Sequence, residues 1–441
     1  MAGAIQLESR GLLDIYTTEV PEFTFFKENF KKHSNFSLQF IDIESDKDVE
    51  YGEIHKFNIP YDHCDVLKGV NLTFSLPDIV LASGVDPDKD YIYGEACNFI
   101  DYITLSVGGI VIQHLTTEYL DLYNELEYPT TKQINLFELC KRDVSSNPAE
   151  VNSRISKTRP YPRQLGGDVC IEIPFYFHNH PELAVPVCAL TQQEIEVEVK
   201  FRNVDECICV SRPAMGEDFK GFVGATAVDL VTYKPYDLRL STECIFLDPI
   251  EKIKVMNHDH EFAITQIQYD DVLLDGGVHE FKTRLNFTNL VQELYFFTLY
   301  TDNNAFGDTS NYNEIPVNSY GVSVDPALTY EHLNYLTLTF DGGEILDEHT
   351  GSPHFLRILQ PRLHHRNTPI TRRFYSYSFA LYPNDSSASG HVNFSTVKEP
   401  ILHGNLFNSG GYNRRFHILA KTMNFIRIKD GVMSQVFDYT T

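Results

Sequence analysis

Apolar residues in this chain recur with a period of two, and that repeat leaves few folds open. Ile195, Val197, Val199 and Phe201 alternate with Glu194, Glu196, Glu198 and Lys200. An extended segment of this kind turns one apolar face to a core and one charged face to water. Ile171, Ile173, Phe175 and Phe177 alternate likewise. So do Leu336, Leu338 and Phe340, set against Thr337, Thr339 and Asp341, and later Tyr375, Tyr377, Phe379 and Leu381. Phe36, Leu38 and Phe40 open a strand whose apolar phase passes to Ile41 and Ile43, as a β-bulge would produce. Helical spacing is rarer. Tyr119, Leu122, Tyr123 and Leu126 form the clearest stripe, which reads as a short helix packed on a sheet edge. The 31 Phe and 25 Tyr lean the same way, because aromatic side chains favour strands.

The pattern is also duplicated. Residues 103–112 read as strand, Gly-Gly turn, strand, and residues 336–346 repeat the device with a turn that reads one residue longer. A long loop precedes each (residues 77–97 and 301–334), and a polar, partly helical crossover follows. A chain of 441 residues exceeds one typical core, so two similar units are expected, joined near residues 248–259. Each half, about 200 residues, suits an eight-stranded jelly roll with long loops. The expected fold is all-β: two tandem eight-stranded jelly-roll β-sandwiches, or double jelly roll, with long loops and short helices.

Charge and cysteine usage narrow the function. A formal charge of −25 repels nucleic acid, which is bound through Lys and Arg neutralising phosphates. No apolar run is long enough to span a bilayer, since Pro77-Asp78 breaks the best candidate, residues 70–85. The N-terminus lacks a basic segment followed by an apolar one, so no secretory signal is read and a soluble intracellular protein is expected. The eight cysteines then read as free buried thiols, and Cys207-Ile-Cys209 is too tight for a zinc knuckle.

Catalytic constellations fail to complete. The jelly roll hosts metal-dependent cupins, and His258-Asp-His260 and His178-Asn-His180 have the spacing that puts two imidazoles on one strand face. A carboxylate ligand should follow, but Ala263, Ile264 and Thr265 stand after His260, and Pro181 disrupts the strand after His180. His364-His365 beside Arg362 and Arg366 reads as a basic turn. There is no Gly-x-Ser-x-Gly elbow, and Phe222-Val223 replaces the Lys-Ser/Thr of a phosphate loop after Gly216 and Gly221. Asn35, Asn71, Asn286, Asn384 and Asn393 each begin Asn-x-Ser/Thr, which without a secretory signal reads as chance. No catalytic residue, metal ligand or cofactor is expected. One segment differs in sign: residues 141–167 carry Lys141, Arg142, Arg154, Lys157, Arg159 and Arg163 against Asp143 and Glu150. Arg154, Arg159 and Arg163 are therefore expected to meet an acidic surface of a neighbouring subunit. A similar basic cluster recurs at Arg362 to Arg373.

The N-terminal segment carries a long ordered motif. It runs Gly3-Ala-Ile-Gln6-Leu7, Asp14-Ile-Tyr16-Thr17, Pro21, Thr24-Phe25-Phe26-Lys27, then Asn35-Phe36. Order and spacing resemble the N-terminal arm of the major capsid proteins of nucleocytoplasmic large DNA viruses, of the chlorovirus and iridovirus type. Leu13, Thr17, Phe30 and Lys31 or Lys32 depart conservatively from that pattern. Further similarity lies at residues 174–190, at Ile245-Phe-Leu-Asp248, and at Tyr375-Ser-Tyr-Ser-Phe-Ala-Leu-Tyr-Pro383 with Ser389-Gly390 and Asn393-Phe-Ser395. It thus spans the chain.

The resemblance implies an arm at residues 1–27, a first jelly roll at 28–248 and a second at 249–441. It implies a structural, non-enzymatic shell protein whose homotrimeric, pseudo-hexameric capsomers tile an icosahedral capsid, with loops 77–97, 204–226 and 301–334 outward. The expected partners are the chain itself, neighbouring capsomers, and minor capsid and penton proteins. Direct nucleic-acid contact and membrane insertion are not expected, although an internal viral membrane beneath the shell is compatible. The expected location is the virion, with assembly in the host cytoplasm. Gln6, Asp14, Tyr16, Phe23, Thr24, Phe25, Phe26, Lys27, Asn35 and Phe36 are the expected assembly residues. The aromatic ones would be buried against the subunit's own base or a neighbour, since an exposed cluster invites aggregation. Two alternatives stand beside this reading. One is a transient scaffold of the same fold, like the lattice former of poxvirus immature particles; the other is a cupin-like or carbohydrate-binding jelly roll.

Overall fold

A computed structural model describes residues 5, 8, 10–27, 32–79, 91–141, 166–210, 233–301, 331–369, 372–407 and 413–438. The chain divides into two compact units, residues 1–36 and 37–441. In the larger unit the described strands fall into two sets of ten. The first set is β1 (Phe36–Glu44), β2 (Ile54–Ile59), β3 (Val66–Leu76), β4 (Tyr91–Tyr93), β5 (Ile100–Val107), β6 (Ile110–Thr116), β7 (Gly167–Glu172), β8 (Ile195–Phe201), β9 (Ile208–Val210) and β10 (Tyr236–Leu247). The second is β11 (His260–Leu274), β12 (Glu280–Arg284), β13 (Leu290–Tyr300), β14 (Leu333–Phe340), β15 (Gly343–Leu346), β16 (Tyr375–Ser378), β17 (Val392–Asn393), β18 (Pro400–Leu406), β19 (Arg414–Lys429) and β20 (Val432–Gln435).

Both sets pair in the same order. The first makes sheets β1-β10-β3-β7 and β2-β8-β5-β6; the second makes β11-β19-β13-β16 and β12-β18-β14-β15. Each set is a jelly roll of two four-stranded sheets, with β4-β9, β17 and β20 as additions. The fold is a double jelly roll. Helix Pro249–Asn257 lies between the sets, its start fixed by Asp248, whose carboxylate accepts from the Ile250 amide.

The two hairpins follow one design. Gly108 and Gly109 have φ of 57° and 82°, and Asp341 and Gly342 have 50° and 84°. These are two-residue turns with both central residues left-handed, which Gly tolerates without steric cost and Asp more readily than most. The second turn is therefore no longer than the first, because Gly343 already belongs to β15. The likeness extends further. After each turn the pairing skips one residue, Ile112 in β6 and Ile345 in β15.

Alternation delivers the cores. Ile195, Val197, Val199 and Phe201 of β8 are all at most 1% exposed, whereas the glutamates between them reach the surface. One apolar cluster fills the first roll and a second, built on Leu294, Phe296, Leu336, Leu338, Phe416 and Ile418, fills the second. Each such side chain contributes roughly 1.5–3 kcal/mol by leaving water. In β1 the two apolar phases differ in burial. Ile41 and Ile43 pack inward, while Leu38 and Phe40 are 54% and 61% exposed.

Candidate assembly surfaces

The expected assembly residues occupy the smaller unit. Helix Leu12–Thr18 is capped by Asp14, whose carboxylate accepts from the Gly11 amide at 2.9 Å, while Thr17 and Thr18 hydroxyls donate to the Asp14 carbonyl. Tyr16 lies on that helix, 89% exposed. The structure brings Phe23 and Phe25 together edge to face at 5.0 Å, and the Thr24 hydroxyl accepts from the Phe26 amide. Phe25 and Phe26 are 88% and 98% exposed. Lys27 and Asn35 are also exposed, and Phe36 begins β1. Gln6 and Phe30 lie outside the described residues, as do Arg154, Arg159 and Arg163 and most of the three long loops.

In the larger unit the rolls meet through a seam that sequence reasoning missed. In the middle of the β11-β19-β13-β16 sheet, β13 and the strand β19 beside it are buried on both faces. Leu294 and Phe296 of β13 point into the second core, while Tyr295 and Phe297 join the first roll's cluster with Ile264, Ile267 and Leu419. What covers that outer face is β6 and helix Thr117–Glu127 of the first roll, which carries the Tyr119, Leu122 and Leu126 stripe. Backbone groups are satisfied across it. The Gln113 amide donates to the Thr265 carbonyl at 2.6 Å, Gln266 to the Ile112 carbonyl at 2.5 Å, and Gln435 to the Val111 carbonyl at 2.7 Å. Helix Thr117–Glu127 packs on β6, the edge strand of its sheet, as its apolar stripe predicts, and its Asp121 and Glu127 reach Arg372 and His365 of the second roll.

Charges are buried in the same seam. Arg372 of the second roll bridges Glu95 at 2.6 Å and Asp121 at 3.0 Å, all three at most 2% exposed in their side chains. His365 sits between Glu127 at 2.8 Å and Glu293 at 2.6 Å. Asn384 reaches Glu127 and accepts from Lys421, and Tyr295 donates to Glu293. Burial alone would depress the imidazole, but the Glu293 and Glu127 carboxylates outweigh it and raise His365 to about 9. Burial would raise Glu293, yet His365 and Lys421 hold it below the usual carboxylate range. Burial pushes Lys421 down, against the pull of Glu127 and Glu293. The basic turn read at His364-His365 is therefore corrected, since His365 is a buried link between two acidic groups. The cluster from Arg362 to Arg373 also divides, with Arg362 exposed and Arg372 and Arg373 buried. One signal was available: Glu293 and Lys421 interrupt apolar strand runs, as an unpaired charge could not.

The remaining candidates fall into ordinary structural places. His260 contacts the Val255 carbonyl, and the His178 ring packs on Tyr123. Among the described residues no group of three or more His, Cys, Asp or Glu side chains could hold a metal ion. Cys64, Cys140, Cys188 and Cys244 are buried free thiols, and Cys97 and Cys207 are buried as well.

Comparison with known proteins follows the same division. Residues 24–248 match the family described as "Major capsid protein N-terminus", and residues 251–434 match "Large eukaryotic DNA virus major capsid protein". The major capsid protein of Pyramimonas orientalis virus is 23% identical over 98% of both chains. That of Paramecium bursaria Chlorella virus 1 is 23% identical over 91% of this chain and 87% of its own. Among solved structures, PBCV-1 VP54 aligns with a TM-score of 0.72 at 17% identity, covering 94% of this chain and all (100%) of its own. The Faustovirus major capsid protein aligns at 0.67 and 13% identity, over 96% and 95% of the two chains.

Proposed function

Because this chain belongs to the family of large eukaryotic DNA virus major capsid proteins, we propose that its work is self-association. It is a structural capsid protein. Three copies close a ring in which two rolls per chain present six similar blocks around a three-fold axis, a shape that tiles a flat facet. The observation that carries this is the pair of identically ordered rolls locked by a buried seam, which makes each chain a rigid double block.

In this reading residues 28–248 and 249–441 are the two rolls and residues 1–27 an assembly arm. Phe23, Phe25 and Phe26, exposed in the single chain, become covered against a neighbouring subunit, with Asp14, Tyr16, Thr24, Lys27, Asn35 and Phe36 shaping the segment and Gln6 at its start. Arg154, Arg159 and Arg163 meet an acidic neighbour. The protein performs no catalysis. Minor capsid and penton proteins bind the assembled ring, and assembly takes place in the host cytoplasm. Contact with genome or membrane is not part of the role; among the described residues no helix is long and apolar enough to cross a membrane. Mass spectrometry of purified virions tests the reading. A shell subunit is among the most abundant proteins there, whereas a scaffold shed on maturation is nearly absent.

A further inference from the structure

Where the first roll hands over to helix Pro249–Asn257, a cluster of thiols lies in the core that self-association does not call on. Cys64 follows an exposed turn, closed by the His63 amide on the Pro60 carbonyl at 3.0 Å, and leads into β3. Cys244 lies near the end of β10. The β10-β3 pairing skips Lys68, so that Glu243 faces Gly69 and Cys244 faces Leu67. That irregularity pairs Cys244 one residue nearer to Cys64 than an even register would. Both side chains are buried, and the Cys64 thiol donates a hydrogen bond to the Cys244 sulfur. Thr242 Oγ1 lies 3.4 Å from the same sulfur and 2.9 Å from His63 Nε2.

Other buried thiols in the chain are held differently. Cys140 donates to the Leu136 carbonyl at 3.1 Å, and Cys207 to the Asn98 carbonyl at 3.8 Å. A thiol on a carbonyl behaves as a small apolar group with a weak donor. Two sulfurs sharing one proton are a thiol and a thiolate. The Cys64 hydrogen bond outweighs burial and holds Cys244 at about 5, with His63 and Thr242 adding to the effect, while Cys64 is raised in turn. The thiolate is the form that attacks a disulfide. Cys188 stands near the pair, its amide donating to the Asp65 carbonyl at 3.1 Å.

We propose that Cys64 and Cys244 are a modification site, a dithiol that a low-molecular-weight disulfide oxidises to an intramolecular disulfide. The Cys244 thiolate attacks one sulfur of the oxidant, forming a mixed disulfide and releasing one thiolate. That thiolate takes the Cys64 proton, and the Cys64 sulfur attacks Cys244 Sγ and expels the other half of the oxidant as a second thiolate. The pair loses two electrons and the oxidant gains them, leaving as one thiol and one thiolate. The oxidant enters by local opening of the turn before Cys64, whose Tyr61 and Asp62 are exposed. The link ties the start of β3 to the end of β10, beside Asp65, which accepts from the Leu247 amide at 2.9 Å and pairs with Lys252 of the junction helix at 2.6 Å. It therefore braces the first roll where the junction helix leaves it. A shell subunit released from a reducing cell into an oxidising medium meets such an oxidant. The chemistry itself rests on the cluster and not on the shell reading.

The test is mass spectrometry and thermal melting of the folded full chain after treatment with dithiothreitol or with glutathione disulfide. The expected result with glutathione disulfide is a mass lower by two hydrogens, with the Cys64 and Cys244 peptides joined in the map. Tm should rise by about 5 °C or more, because the link closes a long loop of the unfolded chain. Cys188→Ala should keep both effects, and Cys64→Ser and Cys244→Ser should lose them. The map of the wild type decides the matter even where a variant fails to fold. Cys64 and Cys244 left reduced in the oxidised sample, a lasting glutathione adduct on either, or a link from either to Cys188 overturns the proposal. The readout is covalent and holds for any oligomer, so a monomeric chain that forms the link contradicts the shell reading alone.

Discussion

Arg372, Glu95 and Asp121 show what a buried charge does in this molecule. Three ionised groups removed from water are costly, and they persist because each is paired across the seam. Arg372→Ala strands two carboxylates in an apolar setting, and urea unfolding should show a loss of about 3–5 kcal/mol. His365 adds a pH signature. Its folded pKa of about 9 exceeds the ordinary value, so its contribution is complete below about pH 6.5 and fades as pH rises through about 9. Glu293, held low, has the opposite sign and contributes until acid protonates it. The Tm gap between wild type and His365→Gln should narrow from pH 6.5 to 10; a gap independent of pH would contradict the pairing. These residues were poorly legible in the sequence. A basic run such as Arg372-Arg373 reads as surface unless the carboxylates 277 positions away at Glu95 are known to face it. Long-range pairing leaves no local period.

Elements were far more legible, because their cause is local. Alternation in β8 and the Gly-Gly and Asp-Gly turns is imposed by pleat geometry and left-handed φ, both visible in adjacent residues. The pattern decides less where both phases of a strand are apolar. Ile41 and Ile43 pack against the core, whereas Leu38 and Phe40 of the same strand are exposed. The arm motif was equally plain as a pattern, but nothing in it states what covers Phe25 and Phe26. Deleting residues 1–27 should leave the melting transition of the rolls intact and abolish or misdirect particle assembly, seen by electron microscopy. Normal particles would remove the arm's role. Reversing Arg154, Arg159 and Arg163 to Glu should weaken oligomerisation in sedimentation experiments; an unchanged oligomer would discard that contact.

At the scale of the whole molecule, duplication is the organising fact. Two rolls of one strand order, with the same turn and the same bulge, give a chain with similar faces on both halves. Inside the chain one pair of those faces is consumed by the seam. The charge of −25 fits a shell wall that neither grips nucleic acid nor needs to. The central claim is that the chain exists as a closed ring of three, and light scattering on the size-exclusion peak of the purified protein tests it most directly. The account predicts a mass of three times 50.5 kDa, with roughly hexagonal outlines in negative stain. A stable 50.5 kDa monomer at every accessible concentration would contradict it.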